Sequence, residues 1–214
     1  MPAAAGAWIA PEKGQGIWTE FAGERDGIYY FESSIYYERP ASETVSLVVA
    51  PWVTSDAGAP DLDYARWEVT LAAKTAVLRR AGSVMALQAG AVWLSDPPNG
   101  CAETAAELRW LGGVTFGHAD RGFLNLEAAE RASEGDCGGE RLDLTIGYRP
   151  VERWLGMAQI FVDEPRLGDG AVQAQISAVR FWREGRGLQL GLRARVDGEA
   201  AEPALVLGFW AGGG

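Results

Sequence analysis

The stretch Arg141-Leu142-Asp143-Leu144-Thr145-Ile146-Gly147-Tyr148-Arg149 decides the fold. Side chains alternate faces along an extended chain, so Leu142, Leu144, Ile146 and Tyr148 share one side of a strand. Arg141, Asp143, Thr145 and Arg149 share the other. A soluble sandwich also alternates, with its apolar face turned to a core. Here the pattern returns about twelve times along the chain, and the polar faces carry too many ions for a solvated sheet of this size. Apolar faces that meet lipid and ionic faces that line a lumen account for both observations. The sequence therefore predicts an all-β fold, a transmembrane antiparallel up-and-down barrel of about 12 strands. Both termini are expected at the periplasmic end.

The same alternation places the other strands. Residues 14–23 are expected to turn Ile17, Thr19 and Phe21 outward and Glu20 inward. Residues 28–38 turn Tyr29, Phe31, Ile35 and Tyr37 out, and Glu32, Ser34 and Glu38 in. Strands at 44–54, 63–77, 83–94 and 103–116 follow; the second puts Arg66, Glu68 and Lys74 on the polar side, the last Glu107 and Arg109. The next opposes Leu124, Leu126 and Ala128 to Asn125, Glu127 and Arg131. Beyond the quoted stretch lie strands at 154–163, 171–182, 187–196 and 203–210, with Gln173, Gln175, Ser177, Gln189, Arg193 and Arg195 inward. One barrel domain thus spans 14–210, between a periplasmic lead-in at 1–13 and a tail at 211–214.

Composition permits this and excludes much else. At 214 residues the chain suits one closed barrel. No run of about 18 apolar residues exists to make a spanning helix, which says nothing against strands of about 9–11 residues. Acidic residues outnumber basic ones 29 to 19, so nucleic acid is disfavoured as a partner. Nine Trp, six Tyr and seven Phe supply material for aromatic belts at two interfaces. Residues 1–7 have neither the basic region nor the long apolar region of a secretory signal. Their small side chains suit either the stretch after a cleavage site or the Ala-rich start of a cytoplasmic protein. The strand pattern favours export.

Charges in the connections sort by parity. Odd-numbered connections carry Asp56, Asp61, Asp96, Glu103, Glu134, Asp136, Glu164, Asp169, Asp197, Glu199 and Glu202. The shorter even-numbered ones carry Arg39, Arg79, Arg80, Arg121, Arg149, Arg153, Arg183 and Arg186. Alternate connections of a barrel lie on opposite sides of the membrane, and the short side is periplasmic; the first connection, 24–27, is short and mixed. Cys101 and Cys137 fall in neighbouring odd connections, so a disulfide between them is feasible and suits an oxidising compartment. Two unrelated thiols are the other reading. Aromatic residues gather near strand ends: Tyr37, Phe116, Phe123, Tyr148, Trp154, Phe181 and Trp182 towards the periplasmic rim. Phe21, Tyr29, Trp52, Tyr64, Trp93 and Phe161 lie towards the outer rim.

In this pattern the chain resembles the small outer-membrane β-barrels of Gram-negative bacteria. The resemblance covers nearly all of 14–210 and implies an outer-membrane location, with the lipid bilayer as a partner. Such barrels usually end on an aromatic residue that helps insertion, whereas Ala211-Gly212-Gly213-Gly214 follows Trp210 here. Twelve-stranded barrels of this kind include lipases and ten-stranded ones include proteases, both using a histidine near the outer rim. The single histidine, His118, falls in a periplasmic turn beside Asp120, so a serine–histidine arrangement has no usable base and no enzyme is expected. One histidine and two loop cysteines make no ligand cluster, and neither metal nor cofactor is expected. Gly14-Gln15-Gly16 is no phosphate loop, because no helix follows it.

The inward ions are the functional candidates. They are Glu20, Glu32, Glu38, Arg66, Glu68, Lys74, Glu107, Arg109, Glu127, Arg131, Arg141, Asp143, Arg193 and Arg195. Paired across strands they would fill the lumen and give a plugged barrel with a structural or partner-binding role. As a ring of mixed charge they would line a narrow passive channel for small solutes. The channel is the favoured reading, and acidic outer loops would favour cations or neutral solutes. A soluble β-barrel or sandwich binder is the remaining fold alternative.

Overall fold

The computed structural model describes residues 6–25, 28–56, 65–97, 100–135, 137–198 and 202–212. The described residues form twelve strands: β1 (Gln15–Arg25), β2 (Ile28–Pro40), β3 (Val45–Asp56), β4 (Arg66–Arg80), β5 (Ser83–Leu94), β6 (Thr104–Phe116), β7 (Gly122–Ser133), β8 (Cys137–Val151), β9 (Trp154–Pro165), β10 (Ala171–Arg183), β11 (Arg186–Arg195) and β12 (Glu202–Gly212). Each pairs antiparallel with the next, and β1 pairs with β12 from Gln15↔Gly212 to Gly23↔Ala204. The barrel is closed, so no strand edge is left unpaired.

The end where β1 begins and β12 finishes is called the near end here, and the opposite one the far end. Near-end connections are tight. At 81–82 and 184–185 the chain reverses on Gly82 and Gly185, whose φ of 75° and 68° glycine adopts without a Cβ clash. All eight arginines assigned to the even connections lie at the near end, together with Glu43, Asp120, Glu152 and Glu184. Acids gather at the far end, where Arg166 is an exception bonded to Glu130 at 3.1 Å. Asp26, Gly27, Asp61, Tyr64, Asp136 and Glu199 lie outside the described residues, as do Gly213 and Gly214. Cys101 and Cys137 are joined in a disulfide that ties two far-end connections together.

The exterior is apolar around the circumference. Leu47 on β3, Leu108 on β6, Leu142 on β8 and Ile176 on β10 are 43–64% exposed, where the inward-turned apolar face of a soluble sandwich would be buried. A surface of this extent is one for hydrocarbon, not water. Strands of ten to fifteen residues are long enough to cross it.

Three expectations need correction. Residues 6–10, assigned to a periplasmic lead-in, turn back inside the barrel, and Ala7 and Ala10 are buried there. Ala211 and Gly212, assigned to a tail, pair with Gly16 and Gln15 and complete the closure. Several belt aromatics face inward: Phe21, Trp52 and Phe161 line the lumen, and Phe123 and Phe181 are buried in it. Inside the near half, Phe123, Leu155, Met157, Val179, Phe181 and Trp210 form one apolar cluster, and Ala7, Val84, Ala86 and Leu111 form another. Trp8 packs against both. The near half of the barrel has a core, and the hydrophobic effect that drives aromatics outward in a watery lumen drives them inward here.

Candidate functional site

The near half of the lumen is built around Lys74. Its register neighbours are Ser46 on β3 and Gln88 on β5, so the sheet offers it no adjacent acid. Its Nζ meets Glu38 Oε2 at 2.6 Å, and donates to the carbonyl oxygens of Gly6 (2.9 Å) and Trp8 (2.8 Å). The Glu38 carboxylate also accepts from Tyr36 OH (2.7 Å), Gln15 Nε2 (3.0 Å) and the Ala10 amide (3.0 Å). Both charged side chains are fully enclosed. A buried pair is tolerable only with its remaining donors and acceptors met, and residues 6–10 meet several of them. Trp8 rests on Gly113, where a Cβ would come within 2.6 Å of the indole. The segment therefore has a fitted seat.

The far half is polar. Along the wall from β4 to β8, Arg131 grips Glu68 with both Nη atoms at 2.8 and 2.7 Å and reaches Glu107 at 2.9 Å. Arg109 bridges Glu107 and Glu127, each at 3.0 Å. Asp143 lies 4.0 Å from Arg109 and 3.2 Å from Arg141. Across the lumen, β9 to β12 present amides: Gln175 donates to Gln159 (2.9 Å), Gln189 to Ser177 (3.1 Å) and Trp210 to Gln189 (2.8 Å). Between the two walls is a cavity of about 530 Å³ floored by Phe123, Met157 and Trp210. A second space of about 130 Å³ shares Ala171, Gln173 and Arg193 with it and reaches Arg195 and Glu202 at the far rim.

Arg193 stands in the cavity with its guanidinium 3.9 Å from the Phe21 ring and 4.7 Å from the Phe161 ring. Its Nε donates to Gln175 Oε1 at 2.9 Å, and Glu32 lies 3.7 Å from Nη1.

The candidate ions thus divide by place. Glu32, Glu68, Arg109, Glu127, Arg141, Asp143 and Arg193 line the cavity, while Glu107 and Arg131 tie its wall together. Glu38 and Lys74 belong to the buried seat of residues 6–10. Arg66 sits at the far rim, largely exposed, 3.3 Å from Asp96. Arg195 is also at that rim, bonded to the Gly170 carbonyl and to Asp197, whose carboxyl this bond holds below its usual range. Glu20 is a correction. The inner face of β1 is Ile17, Thr19 and Phe21, so Glu20 points to the exterior, where Trp18 Nε1 and Ser33 Oγ donate to its carboxylate.

Sequence reasoning missed Asp163, which lines the cavity in alternation with Phe161 and Gln159. Asp163 was visible as the next inward step of its strand after Phe161. Arg149, read both as the last residue of the ionic face of the quoted stretch and as part of an even connection, faces inward over the Phe181 ring at 4.7 Å. His118 lies in a 3-10 turn at the near end, exposed and away from the cavity. Among the described residues, no group of three or more His, Cys, Asp or Glu is placed to hold a metal ion.

No protein-family model matches the sequence, and no curated protein matches it. Solved structures do match the fold. KdgM porin superposes with a TM-score of 0.66 at 6% identity, over 94% of this chain and 99% of that one. The fold is that of the outer-membrane β-barrel porins. The COG4313 outer membrane channel from Pseudomonas putida F1 matches 99% of this chain and 98% of its own, at a TM-score of 0.60 and 10% identity. Outer membrane phospholipase A from Escherichia coli reaches 0.51 at 10% identity, over 95% of this chain and 94% of its own. At such identities the likeness is one of architecture.

Proposed function

We propose that this porin-like barrel is a narrow, passive outer-membrane channel for small solutes, with its near end in the periplasm and residues 6–10 as its constriction. The observation that carries the reading is a polar, ion-lined cavity enclosed by a wall with an apolar exterior. Hydrocarbon accepts the outside, and only water or a polar solute is at home inside. The orientation follows from the tight, arginine-rich near-end connections, since periplasmic turns are the short ones. Structural likeness to a porin and to a channel supports the same reading, and KdgM has been observed in complex with disordered oligogalacturonate.

A second reading has its own observation. The apolar clusters and the seated segment fill the near half, as they would in a plugged barrel with a structural role. An enzyme finds less support, because His118 is remote from the cavity.

Planar-bilayer recordings separate the two. The full chain and one lacking residues 1–12 are inserted, with insertion verified by protease protection. The channel reading expects discrete steps from the full chain and larger ones from the shortened chain. Silence from both inserted proteins would leave the plugged barrel.

A further inference from the structure

We propose that the cavity binds a neutral polyhydroxyl solute, a saccharide or polyol, at Arg193 and Glu32. The inference rests on the channel reading for the solute's arrival, not for the site itself.

Arg193 is held rigidly by its neighbours. Two rings cover its faces and Gln175 takes its Nε, so the guanidinium is fixed before any ligand arrives. Among the described residues its Nη atoms make no hydrogen bond. The nearest acid, Glu32, is at 3.7 Å, beyond hydrogen-bond range. A fixed set of donors therefore faces an acceptor it does not reach. A hydroxyl suits this pair, because it accepts from Arg193 while donating to Glu32. An anion would satisfy Arg193 but be repelled by Glu32, Asp143 and Asp163; a cation would meet the converse conflict.

The rest of the cavity has the same two-sided character. The amide of Gln173 has a donor and an acceptor, as a hydroxyl does, and those of Gln159 and Gln175, bonded to each other, to Thr145 and to Arg193, each keep a second N–H and a second lone pair. Trp52 adds apolar ring surface against which the C–H face of a sugar ring can pack. At about 530 Å³ the space falls within the roughly 300–1,000 Å³ of ordinary small-ligand sites.

The test is titration calorimetry on protein folded in a detergent without a sugar headgroup, with maltose and galacturonic acid as probes. Maltose is expected to bind, and galacturonic acid about tenfold more weakly or not at all. Arg193→Met and Glu32→Ala are each expected to weaken maltose about tenfold or more. Arg193→Lys keeps the charge, loses the planar fork, and serves where Arg193→Met does not fold. No heat with maltose, tighter binding of galacturonic acid, or folded variants that bind as the parent does would each overturn the proposal. Because conduction is not read, a silent barrel can still bind maltose. A conducting barrel that ignores maltose keeps the channel and sinks this site.

Discussion

Glu20 shows what one residue of face assignment is worth. Its carboxylate lies mid-strand on the exterior wall, tied to Trp18 and Ser33 and flanked across the barrel closure by Leu207. A lipid-facing charge at mid-depth is destabilising, less for an acid than the about 2–4 kcal/mol found for Arg or Lys. Glu20→Leu should therefore raise the unfolding free energy in lipid vesicles, by up to about 2 kcal/mol, measured by guanidinium titration. A loss of stability would mean that the two hydrogen bonds outweigh the exposure. The sequence misleads here for a physical reason. Ile17, Thr19 and Phe21 alternate with Trp18, Glu20 and Ala22, and each set mixes apolar with polar, so period two has no clear sign. In Arg141–Arg149 the two sets separate cleanly, and the face is legible.

At the scale of elements, the strands were readable and the segment inside them was not. Most strands announce themselves by alternation, and predicted and observed limits differ by only a few residues. Residues 6–10 have no period to read. What betrays them is Lys74, an inward cation whose sheet neighbours are neutral and whose needs are met by Glu38 and two main-chain carbonyls from the segment. The inward aromatics went unread for the same cause: a lumen assumed to hold water is half filled by protein. Removing one partner of an enclosed ion pair costs about 3–5 kcal/mol, because the other is left charged and unpaired. Lys74→Met should lower the stability of the detergent-folded barrel by about that amount, while Lys74→Met with Glu38→Gln should recover part of it. Equilibrium unfolding of both variants reads the difference. Equal losses would mean that the pair matters only for how it positions residues 6–10.

For the whole molecule, the governing quantity is the balance of charge along the water-accessible path. Among the cavity-lining side chains, Glu32, Glu68, Glu127, Asp143 and Asp163 outnumber Arg109, Arg141 and Arg193. The far rim adds Asp96, Asp197 and Glu202 against Arg66 and Arg195, and the chain as a whole carries −10. A low-dielectric wall focuses such a field into the lumen and enriches counter-ions there. Whichever form conducts, the full chain or the one shortened by residues 1–12, should favour potassium over chloride. The measurement is the reversal potential in a potassium chloride gradient. Screening then supplies an internal check, because the Debye length falls from about 10 Å at 0.1 M to about 3 Å at 1 M. A preference set by the acid-rich rim should fade over that range, whereas one set by the partly buried ions that line the cavity should persist. Chloride preference at low salt would mean that Arg193 and Arg141 dominate the path despite their paired neighbours, and the acid count would then be the wrong guide to this lumen.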